Sequence, residues 1–149
     1  MQLKNYTDYS LRTLIYLGSH ADRVVTISEV AEAFGISRNH LMKVAHKLSL
    51  LGYVRSVPGP KGGMSLARDP EAINVGEVIR QMEKNFDIVE CFNATKNTCY
   101  LSPTCVLKGI LADAMKLFLS SLEQYTLKDL LFAKSGDKTN HSLESVEPP

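Results

Sequence analysis

Mainly α-helical, with one short β-hairpin after the third helix, is the fold class that this 149-residue sequence predicts. Three observations lead there. Apolar residues recur at three- and four-residue intervals in six stretches. Two of these stretches, one ending at Gly35 and one starting at Arg38, are separated only by Gly35-Ile36-Ser37. A turn-forming run, Pro58-Gly59-Pro60-Lys61-Gly62-Gly63, then divides two short alternating segments. With 44% hydrophobic residues the chain can bury one core plus an appended element, and it is too short for two full-sized domains.

The first helix is expected from Asn5 to Thr7 through about His20, with Leu11, Leu14, Ile15 and Leu17 as its apolar stripe. Thr26 and Glu29 stand three apart, the spacing at which each side chain reaches the other's free backbone N–H, so a second helix opens there. It carries Ile27, Val30, Ala31 and Phe34 and stops at Gly35, which tolerates the left-handed conformation of a helix end. Ser37 is a good N-cap for a third helix reaching about Leu51, in which Leu41, Val44, Ala45, Leu48 and Leu51 face inward. Tyr53 to Val57 alternates like a strand, and Met64 to Ala67 returns as its antiparallel partner.

This order is that of a winged helix-turn-helix, whose second short-turn helix enters the major groove of DNA and whose hairpin tip approaches the backbone. Ser37, Arg38, Asn39, His40, Lys43 and Lys47 avoid the apolar stripe and are the expected contacts from the reading helix. Lys61, Gly62 and Gly63 are those from the wing.

Charge agrees with a polyanionic partner once it is divided along the chain. The net value is only +1, yet residues 1–70 carry nine Lys/Arg against five Asp/Glu, and residues 71–149 carry eight against eleven. Between Glu32 and Asp69 there is no acid, while Arg38, Lys43, Lys47, Arg55, Lys61 and Arg68 all fall there.

Asn74 caps a fourth helix running to about Lys84, through Val75, Val78, Ile79 and Met82. Residues from Phe86 to Pro103 form an irregular segment. From Val106 to Tyr125 a long amphipathic helix follows, with Leu107, Ile110, Leu111, Ala114, Leu117, Phe118 and Leu122 at helical spacing. A stripe of that length outside a compact winged unit calls for a partner, and a two-fold homodimer places its reading helices about 34 Å apart on successive turns of a duplex. Thr126 opens a last short helix containing Leu127, Leu130, Leu131 and Phe132, and the polar tail beyond Ser135 is expected to be disordered. The expected organisation is thus 1–84 for the winged helix-turn-helix, 85–105 for a cysteine-containing segment, 106–134 for dimerisation and terminal helices, and 135–149 for the tail.

Cys91, Cys99 and Cys105 lie in or beside the irregular segment. Zinc sites usually show a tight Cys-x-x-Cys pair, which is absent. Wider loops suit an iron–sulfur cluster, for which three thiolates leave one position to a weaker donor open to a small reactive molecule. The spacing alone leaves a cluster, metal-free thiols and zinc all open. No apolar run approaches a membrane span and no leader peptide is visible, so a cytoplasmic location without membrane association is expected. No nucleophile elbow accompanies the cysteines, and no enzyme is expected.

Several motifs together resemble the Rrf2 family of small winged-helix regulators. They are Tyr6-Thr7-Asp8-Tyr9-Ser10-Leu11-Arg12, Ser37-Arg38-Asn39-His40-Leu41-Met42-Lys43-Val44, Gly62-Gly63, Ile88-Val89-Glu90-Cys91, Ser102-Pro103-Thr104-Cys105 and Tyr125-Thr126-Leu127-Lys128-Asp129-Leu130. The likeness extends to about Lys134 and is nearest to a nitric-oxide-sensitive branch. It implies a homodimeric repressor of double-stranded operator DNA that holds an iron–sulfur cluster through Cys91, Cys99 and Cys105 and lets go of DNA when nitric oxide attacks it.

The same resemblance implies Asp8 of the other subunit as the fourth ligand of a 4Fe-4S cluster, and Arg12 as a link from cluster to DNA. The pair also fits a plain ion pair four residues apart on a helix. A branch that monitors cluster supply uses a histidine three positions after its last cysteine to hold a 2Fe-2S centre; here that position is Lys108, so 4Fe-4S is favoured over 2Fe-2S. The alternatives are such a cluster-status regulator, or a thiol-based redox regulator of the same fold without a cluster.

Overall fold

The computed structural model describes residues 2–131, so Phe132, the end of the family likeness at Lys134 and the tail from 135 onward lie outside the described residues. The element order is α1 (Asn5–Ser19), α2 (Ile27–Phe34), α3 (Arg38–Leu50), β1 (Val54–Val57), β2 (Gly63–Leu66), α4 (Val75–Met82), α5 (Val106–Leu122) and α6 (Leu127–Leu131). Single 3-10 turns at Pro70–Ala72 and Glu90–Phe92 were not anticipated. The mainly helical chain with a two-stranded antiparallel wing matches the expected fold class.

Local chemistry sets the boundaries. Gly35, at φ +64°, ends α2, and its N–H is accepted by the carbonyls of Ala31 and Glu32. Ser37 Oγ accepts from the His40 N–H at 3.3 Å, the expected cap of α3. Thr26 Oγ1 likewise accepts from the Glu29 N–H at 3.1 Å. The reciprocal half of that box is not made, because the Glu29 carboxylate turns to Arg23 and to the Tyr16 hydroxyl. Helix α4 stops at Met82, two residues early, since Glu83 adopts extended backbone and its carboxylate turns back to α1. Helix α5 ends at Leu122 rather than Tyr125, where Asn74 Nδ2 donates to the Glu123 carbonyl at 2.6 Å and Arg80 Nε to its carboxylate at 2.6 Å.

The strands pair Val54 with Leu66 through Val57 with Gly63. Val25 adds a rung on the other edge of β2 that no periodicity announced: its N–H donates to the Met64 carbonyl at 2.9 Å, and the Met64 N–H returns the bond at 2.8 Å. A Cβ on Gly63 would stand 2.4 Å from the Val25 carbonyl oxygen, and one on Gly62 would stand 2.2 Å from that of Val57. Gly62 therefore needs the absence of a side chain for the hairpin to close, and Gly63 for the hairpin to dock against Val25.

Among the described residues two apolar clusters form the interior. The larger gathers Leu14 and Leu17 of α1, Val30 of α2, Leu41, Val44 and Leu48 of α3, with Tyr53, Met64, Ile73, Val78 and Leu127. Helix α1 buries hydroxyl residues as well as leucines: Thr7, Ser10 and Thr13 are fully buried. Ser10 and Thr13 donate to the carbonyls of Tyr6 and Tyr9, each at 2.7 Å, which removes the cost of burying them. The second cluster joins Val75 and Ile79 of α4 to Met115 and Leu119 of α5, with Phe86, Ile88 and Phe118 packed on it. Helix α4 serves both clusters from one face, with Val78 and Met82 toward the larger and Val75 and Ile79 toward the second. Helix α6 returns to α1, where Leu131 fills the space beside Gly18, and it is tied to α4 by paired backbone bonds around Asn74 and Thr126.

Candidate functional site

The buried side of α3 consists of Leu41, Val44, Ala45 and Leu48. Its opposite side therefore presents Arg38, Asn39, Met42, Lys43 and His46 as a continuous exposed strip, with His40 at the edge toward α1. Lys47 is half-buried and Lys61 is exposed at the wing tip. Among the described residues, Arg38, Lys43, Lys47 and Lys61 have no acidic partner. Four uncompensated cations on a helix and an adjoining loop constitute a positive surface suited to phosphates.

Two cations of the acid-free window are engaged within the fold. The Arg68 guanidinium donates to the carbonyls of Leu51 at 2.8 Å and Gly52 at 3.0 Å, closing the C-terminus of α3, and lies 4.6 Å from the centre of the Tyr53 ring. Arg55 Nε donates to Ser65 Oγ across the hairpin at 2.9 Å. Burial, with Glu77 nearby, pushes the Tyr53 phenol up to about 12.

At the start of the chain, Arg12 grips Asp8 with both arms, Nε to Oδ1 at 3.1 Å and Nη2 to Oδ2 at 2.9 Å. The same guanidinium lies 5.9 Å from the centre of the Phe34 ring, the last residue of α2 before the turn into α3. Arg12 thus spans from Asp8 to the helix-turn-helix corner. One turn earlier, Glu83 accepts from the Lys4 N–H at 2.9 Å and from Thr7 Oγ1 at 2.7 Å. That bond set joins the first turn of α1 to the point where the cysteine segment leaves α4. Sequence reasoning missed Glu83, because a single glutamate just past a helix carries no pattern.

Phe86 and Ile88 moor the cysteine segment on the second cluster. Beyond them its bonds are local: Asn93 to Asp87, Thr95 to Asn93, and the Cys99 N–H to Asn97 Oδ1 at 3.1 Å. Cys91 sits in the 3-10 turn, Cys105 immediately precedes α5, and all three thiols are free and half-buried. Among the described residues, no three Cys, His, Asp or Glu side chains converge as a metal site, so Cys91, Cys99, Cys105 and Asp8 are not brought together here. Three soft thiolates on a locally bonded segment match an iron–sulfur cluster in donor chemistry. Lys108 Nζ bonds to Ser102 Oγ at 3.4 Å.

Helix α5 buries Met115 and Leu119 but leaves Val106, Leu107, Ile110 and Leu117 at 59–77% exposure. Among the described residues no helix is long and apolar enough to cross a membrane.

Comparison with known proteins places this geometry in a family. The family model Rrf2, "Iron-dependent Transcriptional regulator", matches residues 3–133. The chain is 51% identical over 132 residues to the HTH-type transcriptional regulator NsrR of Bacillus licheniformis, covering 88% of this chain and 92% of that one. NsrR of Bacillus subtilis is likewise 51% identical, with 88% and 90% covered. Among solved structures, T. potens IscR superposes with a TM-score of 0.70 at 26% identity, covering 88% of this chain and 86% of the other. CymR, the global cysteine regulator of B. subtilis, superposes with a TM-score of 0.65 at 26% identity, covering 88% and 96%. These relatives are DNA-binding regulators and not enzymes, and the chain belongs to the Rrf2 family of transcriptional regulators.

Proposed function

We propose that the chain is a homodimeric repressor that reads operator DNA with α3 and the wing, and that loses affinity for it when nitric oxide reaches an iron–sulfur cluster. The observation that carries the reading is the set of unpaired cations Arg38, Lys43, Lys47 and Lys61 on one reading surface of an Rrf2 chain. Ser37, Asn39 and His40 complete the groove-facing set. Gly62 and Gly63 let the wing tip lie close to the duplex in addition to closing the hairpin and docking it against Val25.

Cys91, Cys99 and Cys105, with the partner subunit's Asp8, would hold the cluster, for which 4Fe-4S is preferred because Lys108 stands where a histidine ligand would. Bound there, such a group supplies iron that reacts with nitric oxide. This chain's own part in the response is positional. Arg12 contacts both Asp8 and Phe34, so a change in what Asp8 holds alters the anchoring of the α2–α3 corner. The outward residues Leu107, Ile110 and Leu117 recur in register on α5 and suit a second copy of the same helix.

Anaerobic purification with iron and sulfide analysis, followed by nitric oxide titration of the protein on its operator, tests the proposal. Expected are a brown wild type, a colourless Cys99→Ala variant and a fall in operator affinity on adding the gas. Unchanged affinity overturns the sensing role. The three free, ungathered thiols favour a second reading, a thiol-based redox regulator, which protein that stays colourless after reconstitution would establish in its place.

A further inference from the structure

Between the start of α1 and the first half of α3 lies a cavity of about 390 Å³ lined by Lys4, Asn5, Tyr6, Tyr9, His40 and Lys43. Its chemistry is one-sided: two ammonium groups, an imidazole, an amide and two phenols, with no carboxylate in the lining. Two of these groups are partly engaged. The Tyr6 hydroxyl donates to the Lys43 carbonyl at 2.9 Å, fixing α1 against α3, and Lys4 Nζ lies 3.6 Å from Glu83 outside the cavity. The Tyr9 hydroxyl has no hydrogen-bond partner among the described residues, and its ring lies 6.3 Å from that of His40.

Several donors and cations without an acid suit an oxyanion carrying a single charge. We propose that this cavity seats one backbone phosphate of the bound duplex, with the Tyr9 hydroxyl and the Lys43 ammonium as its main donors and Lys4 and Asn5 at its rim. The cavity adjoins the flank of the helix assigned to the major groove, where the bordering strand runs. Arg38, Lys47 and Lys61 extend the positive surface beyond the cavity, so a duplex uses the whole array and a free anion would use only the cavity. The inference rests on the assignment of α3 as the reading helix and adds α1 as the element that grips the strand beside it.

The test uses the full chain and a labelled duplex that the protein itself selects from a random pool, titrated at several salt concentrations. Tyr9→Phe removes one hydroxyl and breaks no bond of the free fold, so it is the decisive variant; unchanged circular dichroism and melting confirm its folding. It should weaken binding about tenfold, by the same factor on the selected duplex and on a scrambled one, because a phosphate contact carries no sequence information. Lys4→Gln should lower the slope of log affinity against log salt by about 0.9 per half-site occupied. Replacing single phosphates with uncharged methylphosphonates should reveal one linkage in each half-site whose neutralisation weakens the wild type and weakens Tyr9→Phe by less.

Wild-type affinity in Tyr9→Phe, or additive effects at every linkage, overturns the seat. Inorganic phosphate that displaces duplex from the wild type but not from Tyr9→Phe, at equal ionic strength, reassigns the cavity to the free anion. Arg38→Ala separates the two levels: weak binding there with normal Tyr9→Phe removes the seat alone, whereas normal binding in both removes the reading-helix assignment.

Discussion

The Glu29 carboxylate accepts from the Tyr16 hydroxyl at 3.0 Å and pairs with the Arg23 guanidinium, and these donors lower its pKa to about 2 from an ordinary 4.5. A carboxylate depressed in the folded state contributes stability above its unfolded value and loses that contribution as pH falls through the folded one. The melting-temperature gap between wild type and Glu29→Gln should therefore be full at neutral pH and close as pH drops from about 4.5 toward 2. A gap unaffected by acid would show that Glu29 acts through packing instead. Glu83 tests a different kind of residue effect. Its removal leaves the buried Thr7 hydroxyl without its acceptor. Glu83→Ala should cost about 1–3 kcal/mol in urea unfolding, while Lys4→Ala, at a half-exposed ammonium, should cost much less.

Elements in this chain depend on one another at a few close approaches. The wing is held to the strand-like residue Val25 only because Gly63 brings bare backbone within reach of it. Gly63→Ala is expected to force that rung apart, costing about 2 kcal/mol or more, with loss of amide-exchange protection at Val25 and Met64. Protection retained at both amides would mean that the hairpin shifts as a unit to make room. The sequence made most elements readable, since α2 and α3 carry caps at Thr26 and Ser37 and a terminator at Gly35, and α1 to α3 have inward residues at regular intervals. The rung at Val25 was not readable, because one residue pair has no period. The hydroxyl-lined face of α1 was hidden for a related reason: Thr7, Ser10 and Thr13 look polar in a hydropathy pattern, and only their acceptors, the Glu83 carboxylate for Thr7 and backbone carbonyls for the other two, let them lie inside.

For the whole molecule, the proposed dimer would rest on the exposed side of α5. Ile110 and Leu117 are 59% and 72% exposed on the single chain, an arrangement that a dimer would cover. Ile110→Glu combined with Leu117→Glu should give a monomer in sedimentation equilibrium and lower affinity for a two-half-site duplex far more than for a half-site. A dimer that survives both changes would move the interface elsewhere. The reading surface was legible as a charge imbalance, yet sequence could not tell that Arg68 is spent on closing α3 while Lys43 stays open; that division depends on which carbonyls lie nearby. The cysteines were legible as a donor set, whereas among the described residues they are not gathered into one site, and no spacing encodes how they would be.

Because α4 gives Val78 and Met82 to one apolar cluster and Val75 and Ile79 to the other, neither interior can come apart while its neighbour stays intact. Heating should therefore yield one calorimetric peak whose enthalpy equals the van't Hoff value, the mark of a single melting unit per protomer.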